Sequence, residues 1–211
     1  VIGTLTYDSW QGNPRPRIAR YPETDSLVNW MGLPGVGTRV VAERLKRYGE
    51  HEVPITINFM TTPGKKEKEI IRDLEGTVKS SRNITYVDRF ELNISCPNTY
   101  ASNGVLDARK EYQKQLAHML GAVSTLLFIG QELHIKVSPD IDAESAEEII
   151  ETSEKYKVKS VTTTNTTTNH DPRYISHSPG KGGASGNAVY ESSLRVQKIF
   201  NDAIYRRRLN M

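Results

Sequence analysis

Apolar residues in this chain fall into short continuous runs that alternate with stretches of helical spacing. The runs predict buried strands at about 1–6, 54–59, 87–95, 133–139 and 158–165. Apolar residues three or four positions apart predict amphipathic helices near 40–48, 63–78, 108–128, 142–156 and 189–205. Strands that alternate with helices imply a parallel sheet with crossover helices. This pattern suits either an open α/β sheet or part of a (β/α)8 barrel.

The third predicted strand ends in a polar cluster that holds the only cysteine of the chain. The apolar run closes on Asn93-Ile94-Ser95-Cys96-Pro97-Asn98, where the proline stops the strand because it has no N–H to donate. In parallel α/β proteins this end of a strand is where chemistry is done. A lone cysteine is more often a buried packing residue. The two flanking amides favour a functional site instead.

Three further features have candidate chemistry. Lys136 lies inside an apolar strand, where an amine is costly to bury unless it meets an anion or a polar cavity. Asn165 follows a run of threonines, and β propensity explains the threonines but not the amide. The stretch from Gly180 to Gly186 reads as a glycine-rich loop whose backbone N–H groups would suit a phosphate, although such loops are weak evidence alone.

Composition and charge exclude a few classes of protein. The net charge is +3, from 28 basic and 25 acidic residues, which is too balanced to favour nucleic acid or a membrane surface. One cysteine excludes an internal disulfide framework, and no apolar run reaches the roughly 18 residues of a membrane span. We therefore expect a cytoplasmic protein without a metal site.

The motifs, taken in order, resemble the dihydroorotate dehydrogenase family of flavin enzymes. They are Gly3-Thr4-Leu5-Thr6, Gly12-Asn13-Pro14-Arg15-Pro16-Arg17, Met31-Gly32-Leu33-Pro34-Gly35, the segment around Cys96, Lys136, Thr164-Asn165-Thr166-Thr167 and Gly182-Gly183-Ala184-Ser185-Gly186. The resemblance implies a (β/α)8 barrel that binds FMN and oxidises dihydroorotate to orotate in pyrimidine biosynthesis. Residues 1–211 would be one incomplete barrel domain with five to six of the eight units, lacking the first strand and the last two.

The resemblance also assigns roles to individual residues. Cys96 would be the base that removes the C5 proton while C6 passes a hydride to the flavin. The substrate would be held by Asn93, Asn98, Asn165 and Thr166. The flavin would be held by Asn58, Lys136, Thr164, Gly183, Ser185 and Gly186.

The chain departs from the family pattern at Gly35, where the soluble class has asparagine. A lost hydrogen bond to a ligand costs about 1–3 kcal/mol, so a related flavoprotein acting on another pyrimidine is an alternative. A second alternative is a non-catalytic barrel fragment that needs a partner chain or the missing segments. Cys96 is typical of the soluble class, whereas Thr164 to Thr167 is typical of the membrane-associated class. The electron acceptor therefore stays open between fumarate, quinone and NAD, and a homodimer is also left open.

Overall fold

The computed structural model describes residues 1–49, 53–66, 68–95, 105–208 and 211. Its strands are β1 (Ile2–Leu5), β2 (Ile18–Tyr21), β3 (Ser26–Asn29), β4 (Ile55–Phe59), β5 (Val87–Asn93), β6 (Glu132–Val137), β7 (Ser160–Thr163) and β8 (Gly183–Gly186). Its helices are α1 (Thr38–Tyr48), α2 (Lys68–Ser81), α3 (Val105–Ser124), α4 (Ala143–Lys155) and α5 (Asn187–Arg207). All five predicted strands and all five predicted helices are present.

The main sheet has five parallel strands in the order β1-β4-β5-β6-β7. Adjacent strands of this sheet are also successive parallel strands along the chain, which is the arrangement of successive units in a (β/α)8 barrel. Within the described residues β1 and β7 each pair on one side only, so this partial barrel is open.

Alternation along the strands separates a helix-facing side from an inner side. In β6, Leu133, Ile135 and Val137 are buried in the main hydrophobic core, whereas His134 and Lys136 between them are only partly buried. Helices α2 to α5 cover the apolar side through residues such as Leu74, Leu120, Ile149, Ile150 and Phe200. The inner side of the sheet is polar, as the same alternation places Asn58, Glu91 and Asn93 there.

A second sheet pairs two strands from early in the sequence with one strand from late in the sequence. Its strands run antiparallel in the order β2-β3-β8. The predicted glycine-rich loop is therefore wrong for residues 183–186, which form β8. Glycine is needed for close approach: a Cβ on Gly183 would lie 2.0 Å from Thr166 Oγ1, and one on Gly186 would lie 2.0 Å from the carbonyl oxygen of Asp25.

Two predicted helix ends also differ from the structure. Helix α2 begins at Lys68 rather than near Pro63. A turn closed by Lys65 N–H to Thr62 O, with Gly64 at φ +87°, comes first. Helix α3 ends at Ser124 rather than near residue 128, and Leu126 N–H instead donates to Val123 O in a turn. Beyond Ser124 apolar residues continue the helical spacing past the point where the backbone turns, whereas the predicted start of α2 rested on the position of Pro63.

Candidate active site

A cavity of about 400 Å³ opens at the carboxyl ends of the parallel strands. Its floor comes from residues at or just after the ends of β4 to β7, and its walls come from the loops after β1 and β3 and from β8. It is lined by Trp10, Asn13, Gly32, Leu33, Met60, Pro63, Asn93, Ser95, Ser138, Asn165, Thr166, Thr168 and Gly183. Four of the predicted site residues, Asn93, Asn165, Thr166 and Gly183, are thus brought together.

The two asparagines of the cavity have their carbonyl oxygens occupied by backbone donors. Ser95 donates its N–H to Asn93 Oδ1 at 3.1 Å, and Thr166 donates its N–H to Asn165 Oδ1 at 2.9 Å. A backbone N–H can only donate, so these bonds fix which side of each amide is oxygen. Asn165 Nδ2 lies 3.5 Å from Asn93 Oδ1, which joins the two side chains. Each amide keeps N–H capacity for a bound molecule.

A carboxylate outside the cavity holds the loop that follows β7. Asp140 accepts hydrogen bonds from the hydroxyl of Thr167 and from both the backbone N–H and the hydroxyl of Thr168, the last two at 2.8 Å. Thr167 also exchanges two backbone hydrogen bonds with Ala184 of β8. The end of β6, the end of β7 and β8 are therefore fixed relative to one another.

A second carboxylate holds the loop that follows β4. Asp73 of α2 accepts from the backbone N–H of Thr62 at 2.7 Å and from its hydroxyl at 2.9 Å. Burial raises the pKa of Asp73 above its ordinary value, although the Thr62 hydrogen bonds act in the opposite direction. Met60 and Pro63, which line the cavity, flank this fixed point.

Below the cavity, the inner face of the sheet holds Asn58 and Lys136. Asn58 is 3% exposed, accepts from Thr4 Oγ1 at 2.5 Å and donates to Glu91. Lys136 is partly buried, and no ion pair to it is found among the described residues. A partly buried ammonium beside buried amides fits the pyrimidine end of a flavin, which carries ring carbonyls and, when reduced, negative charge.

The same inner face carries a histidine one step further from the cavity. Burial lowers the pKa of His134, while nearby Glu132 acts to raise it. Its Nδ1 lies 2.6 Å from Ser160 Oγ of the next strand. This pair joins β6 to β7 on the inner face.

Three residues predicted to hold the flavin are engaged with protein groups. The Thr164 hydroxyl lies 2.7 Å from Ser193 Oγ, and Ser185 Oγ donates to Leu27 O at 3.3 Å. Gly186 precedes α5, whose first N–H groups already donate to Asp25 O and Ser26 Oγ. Cys96 and Asn98 lie outside the described residues, so their predicted roles stay predictions.

The outer wall of the cavity was not predicted. Trp10 and Gly35 exchange two backbone hydrogen bonds of 2.9 and 2.8 Å, and Asn13 bonds to Trp30 O and Met31 O. The Gly-Asn-Pro and Met-Gly-Leu-Pro-Gly motifs were the available signal, because both are loops that follow strands. Gly35 does not line the cavity, and a Cβ there would meet nothing within 4 Å.

Comparison with known proteins decides the family. The family model described as dihydroorotate dehydrogenase matches residues 1–205. The chain belongs to the dihydroorotate dehydrogenase family. It is 28% identical over 209 residues to dihydroorotate dehydrogenase (quinone) of Synechococcus sp. (strain JA-3-3Ab), covering 96% of this chain and 54% of that protein. It is 31% identical to the protein of the same description from Burkholderia pseudomallei (strain 668), covering 92% of this chain and 57% of the relative.

Solved structures of the family support the fold. Ligand-free DHODH from Eimeria tenella superposes with a TM-score of 0.76 at 21% identity, covering 96% of this chain and 62% of that chain. The prediction of a partial (β/α)8-type barrel is thereby confirmed. The chain spans about half the length of the curated relatives it matches.

Among the helices of the described residues, none combines the length and the apolarity needed to cross a bilayer. The predicted cytoplasmic location stays a prediction.

Proposed function

We propose that this chain is the catalytic part of a flavin-dependent enzyme that oxidises dihydroorotate to orotate. The observation that carries the proposal is the pair of amides at the ends of β5 and β7. Asn93 and Asn165 have their oxygens occupied and keep N–H groups beside a cavity of about 400 Å³. Dihydroorotate carries a carboxylate and two ring carbonyls, which are acceptors for such donors.

The remaining residues would act on the substrate and its protons. Cys96, as a thiolate, would take the proton from C5, with Asn98 and Thr166 adding contacts to the ring. The chemistry that bound FMN supplies is acceptance of the hydride from C6. Asn58 and Lys136 would hold the pyrimidine side of the cofactor. Thr164, Gly183, Ser185 and Gly186 would contact it through backbone groups, because the two hydroxyls are engaged elsewhere.

For the electron acceptor we propose a quinone. The support is that the relatives in Synechococcus and Burkholderia are both described as quinone-dependent. Fumarate and NAD⁺ are the competing acceptors. Reoxidation of the reduced protein by a short-chain quinone, by fumarate and by NAD⁺, measured separately, distinguishes the three.

The test is an absorbance spectrum of the purified chain after incubation with FMN, followed by anaerobic addition of dihydroorotate. A retained flavin band that bleaches supports the proposal. A band that persists with dihydroorotate but bleaches with another dihydropyrimidine would transfer the proposal to that substrate, with Gly35 as the first residue to vary. Failure to retain any flavin would contradict a catalytic role for this chain by itself.

A further inference from the structure

A buried carboxylate on the inner face connects strands that are far apart in the sequence. Glu91 of β5 is 6% exposed and accepts hydrogen bonds from Asn58 Nδ2 of β4 and Thr162 Oγ1 of β7. Asn58 is the direct neighbour of Glu91 on the adjacent strand β4. Thr162 is on β7, so its hydrogen bond to Glu91 crosses the intervening strand β6. The carboxylate therefore spans the inner face beneath the cavity.

The hydrogen bonds that lead to Glu91 form one directed chain. Asn93 Nδ2 donates to Thr4 Oγ1 at 3.2 Å, Thr4 Oγ1 donates to Asn58 Oδ1 at 2.5 Å, and Asn58 Nδ2 donates to Glu91. An ionised carboxylate only accepts, whereas a hydroxyl or an amide can reverse its role. Glu91 is thus the member of the chain that decides its direction at the lower end, as Ser95 N–H does at the upper end.

We propose that Glu91 is a positioning residue that holds the side-chain amide of Asn58 in place for the bound ligand. It acts through Asn58 and does not line the cavity. The part of this inference that concerns ligands rests on the proposed function. The part that concerns amide orientation does not depend on any ligand.

The location of Glu91 supports an orienting role over a purely packing one. A buried carboxylate is costly unless it is hydrogen-bonded, and an apolar side chain would fill the same volume at lower cost. Both of its oxygens receive donors on the inner face, one from β4 and one from β7, which lie on opposite sides of β5. Such a fully bonded polar group rigidifies the groups that it contacts.

The test is a double-mutant cycle of Glu91→Gln and Thr162→Val. In the Gln variant the new amide can still accept from Asn58 and donate its N–H to the Thr162 hydroxyl, so the direction is kept. In the Val variant Glu91 still accepts from Asn58. In the double variant the introduced glutamine can accept from Asn58 only while its own N–H group has no protein partner, so its hold on the Asn58 amide is weakened. We therefore expect less than threefold weaker FMN binding in each single variant and at least thirtyfold in the double variant.

A ligand-free measurement separates this inference from the proposed function. Exchange of the side-chain amide protons of Asn58, followed by ¹⁵N NMR without flavin, should be slow in the wild type and at least tenfold faster in the double variant. Glu132→Gln, a partly exposed carboxylate on the neighbouring strand, is the matched control and should change neither readout. If the wild type binds no FMN, the proposed function fails while the exchange rates still decide the role of Glu91.

Two results would overturn the inference. One is additive losses of FMN affinity across the cycle. The other is Asn58 amide protons that exchange in the wild type as fast as those of an exposed asparagine. If the double variant does not fold, Glu91→Leu removes the acceptor of Asn58 Nδ2 while leaving Thr4 and Ser95 in place, and it should accelerate exchange at Asn58 while sparing Asn93. Unchanged exchange at Asn58 in that variant would also overturn the inference.

Discussion

Replacing Gly183 by alanine tests whether β8 sets the width of the cavity. The new Cβ would lie 2.0 Å from Thr166 Oγ1 and 2.6 Å from Thr166 Cβ. Since Cβ atoms do not approach other heavy atoms within 3.0 Å, β8 or the Thr166 side chain must move by roughly 1 Å. Gly183 has no positive φ, so lack of space is the only obstacle. Overpacking of this kind costs about 1–3 kcal/mol.

Urea unfolding and orotate titration measure the two consequences. With a loss of about 2 kcal/mol and a denaturant slope of about 2 kcal/mol per molar, the urea midpoint should fall by roughly 1 M. Affinity for orotate should fall as well, because Thr166 and Gly183 both line the cavity. Gly35→Ala is the matched control, as its Cβ meets nothing within 4 Å, and it should leave the midpoint unchanged or slightly raised.

A companion substitution identifies which contact is responsible. Thr166→Ala removes the hydroxyl at 2.0 Å but leaves the Cβ at 2.6 Å, so combining it with Gly183→Ala should restore only part of the stability. An unchanged urea midpoint or an unchanged orotate affinity in Gly183→Ala would refute the reasoning. Such a result would mean that β8 moves away from Thr166 without loss of stability or of binding.

Four further predictions concern single residues. Cys96→Ser should slow anaerobic flavin reduction by about 10²-fold or more while changing orotate binding far less, and equal reduction rates would remove Cys96 as the base. Lys136→Ala should lower flavin retention, whereas exposed Lys159→Ala should not; full retention and full rate would leave Lys136 a packing residue. Gly35→Asn, which has room for its side chain, should tighten orotate binding up to about tenfold if dihydroorotate is the substrate, and titration checks it. Because burial raises the pKa of Asp73 above 3.8, the folded state holds that proton more tightly than the unfolded chain. The free energy of unfolding should therefore fall as pH rises from about 4 through the raised pKa, and a parallel pH profile in Asp73→Asn would contradict this.

The parallel sheet could be predicted because its strands are continuous apolar runs. Ile55–Phe59 and Glu132–Val137 each fall within two residues of the predicted bounds. The antiparallel sheet could not be predicted in the same way. Ile18–Tyr21 and Ser26–Asn29 are four residues long, and Gly183–Gly186 has little β propensity of its own. Pairing with β3 and close backbone approach impose the strand conformation on β8.

The site was predictable in its residue types but not in its connections. Asn93, Asn165 and Thr166 follow strands, so their convergence at one edge of the sheet was expected. The hydrogen bonds from Thr4 through Asn58 to Glu91 join three strands, and side-chain pairing between strands leaves no local signal in a single sequence. The same holds for Asp140, whose partners in the loop after β7 are 27 and 28 positions away.

Pairing of β3 with β8 has a consequence for the order in which the molecule assembles. Leu27 and Ser185, which face each other in this pair, are 158 positions apart. Closing a loop of that length costs roughly 4 kcal/mol of chain entropy, so we expect β3 and β8 to meet only after the parallel strands have shortened the path between them. During synthesis, β3 cannot complete this pairing until β8 has emerged. Formation of the cavity wall would then follow formation of the parallel sheet, and ligand binding would report that β8 has paired with β3.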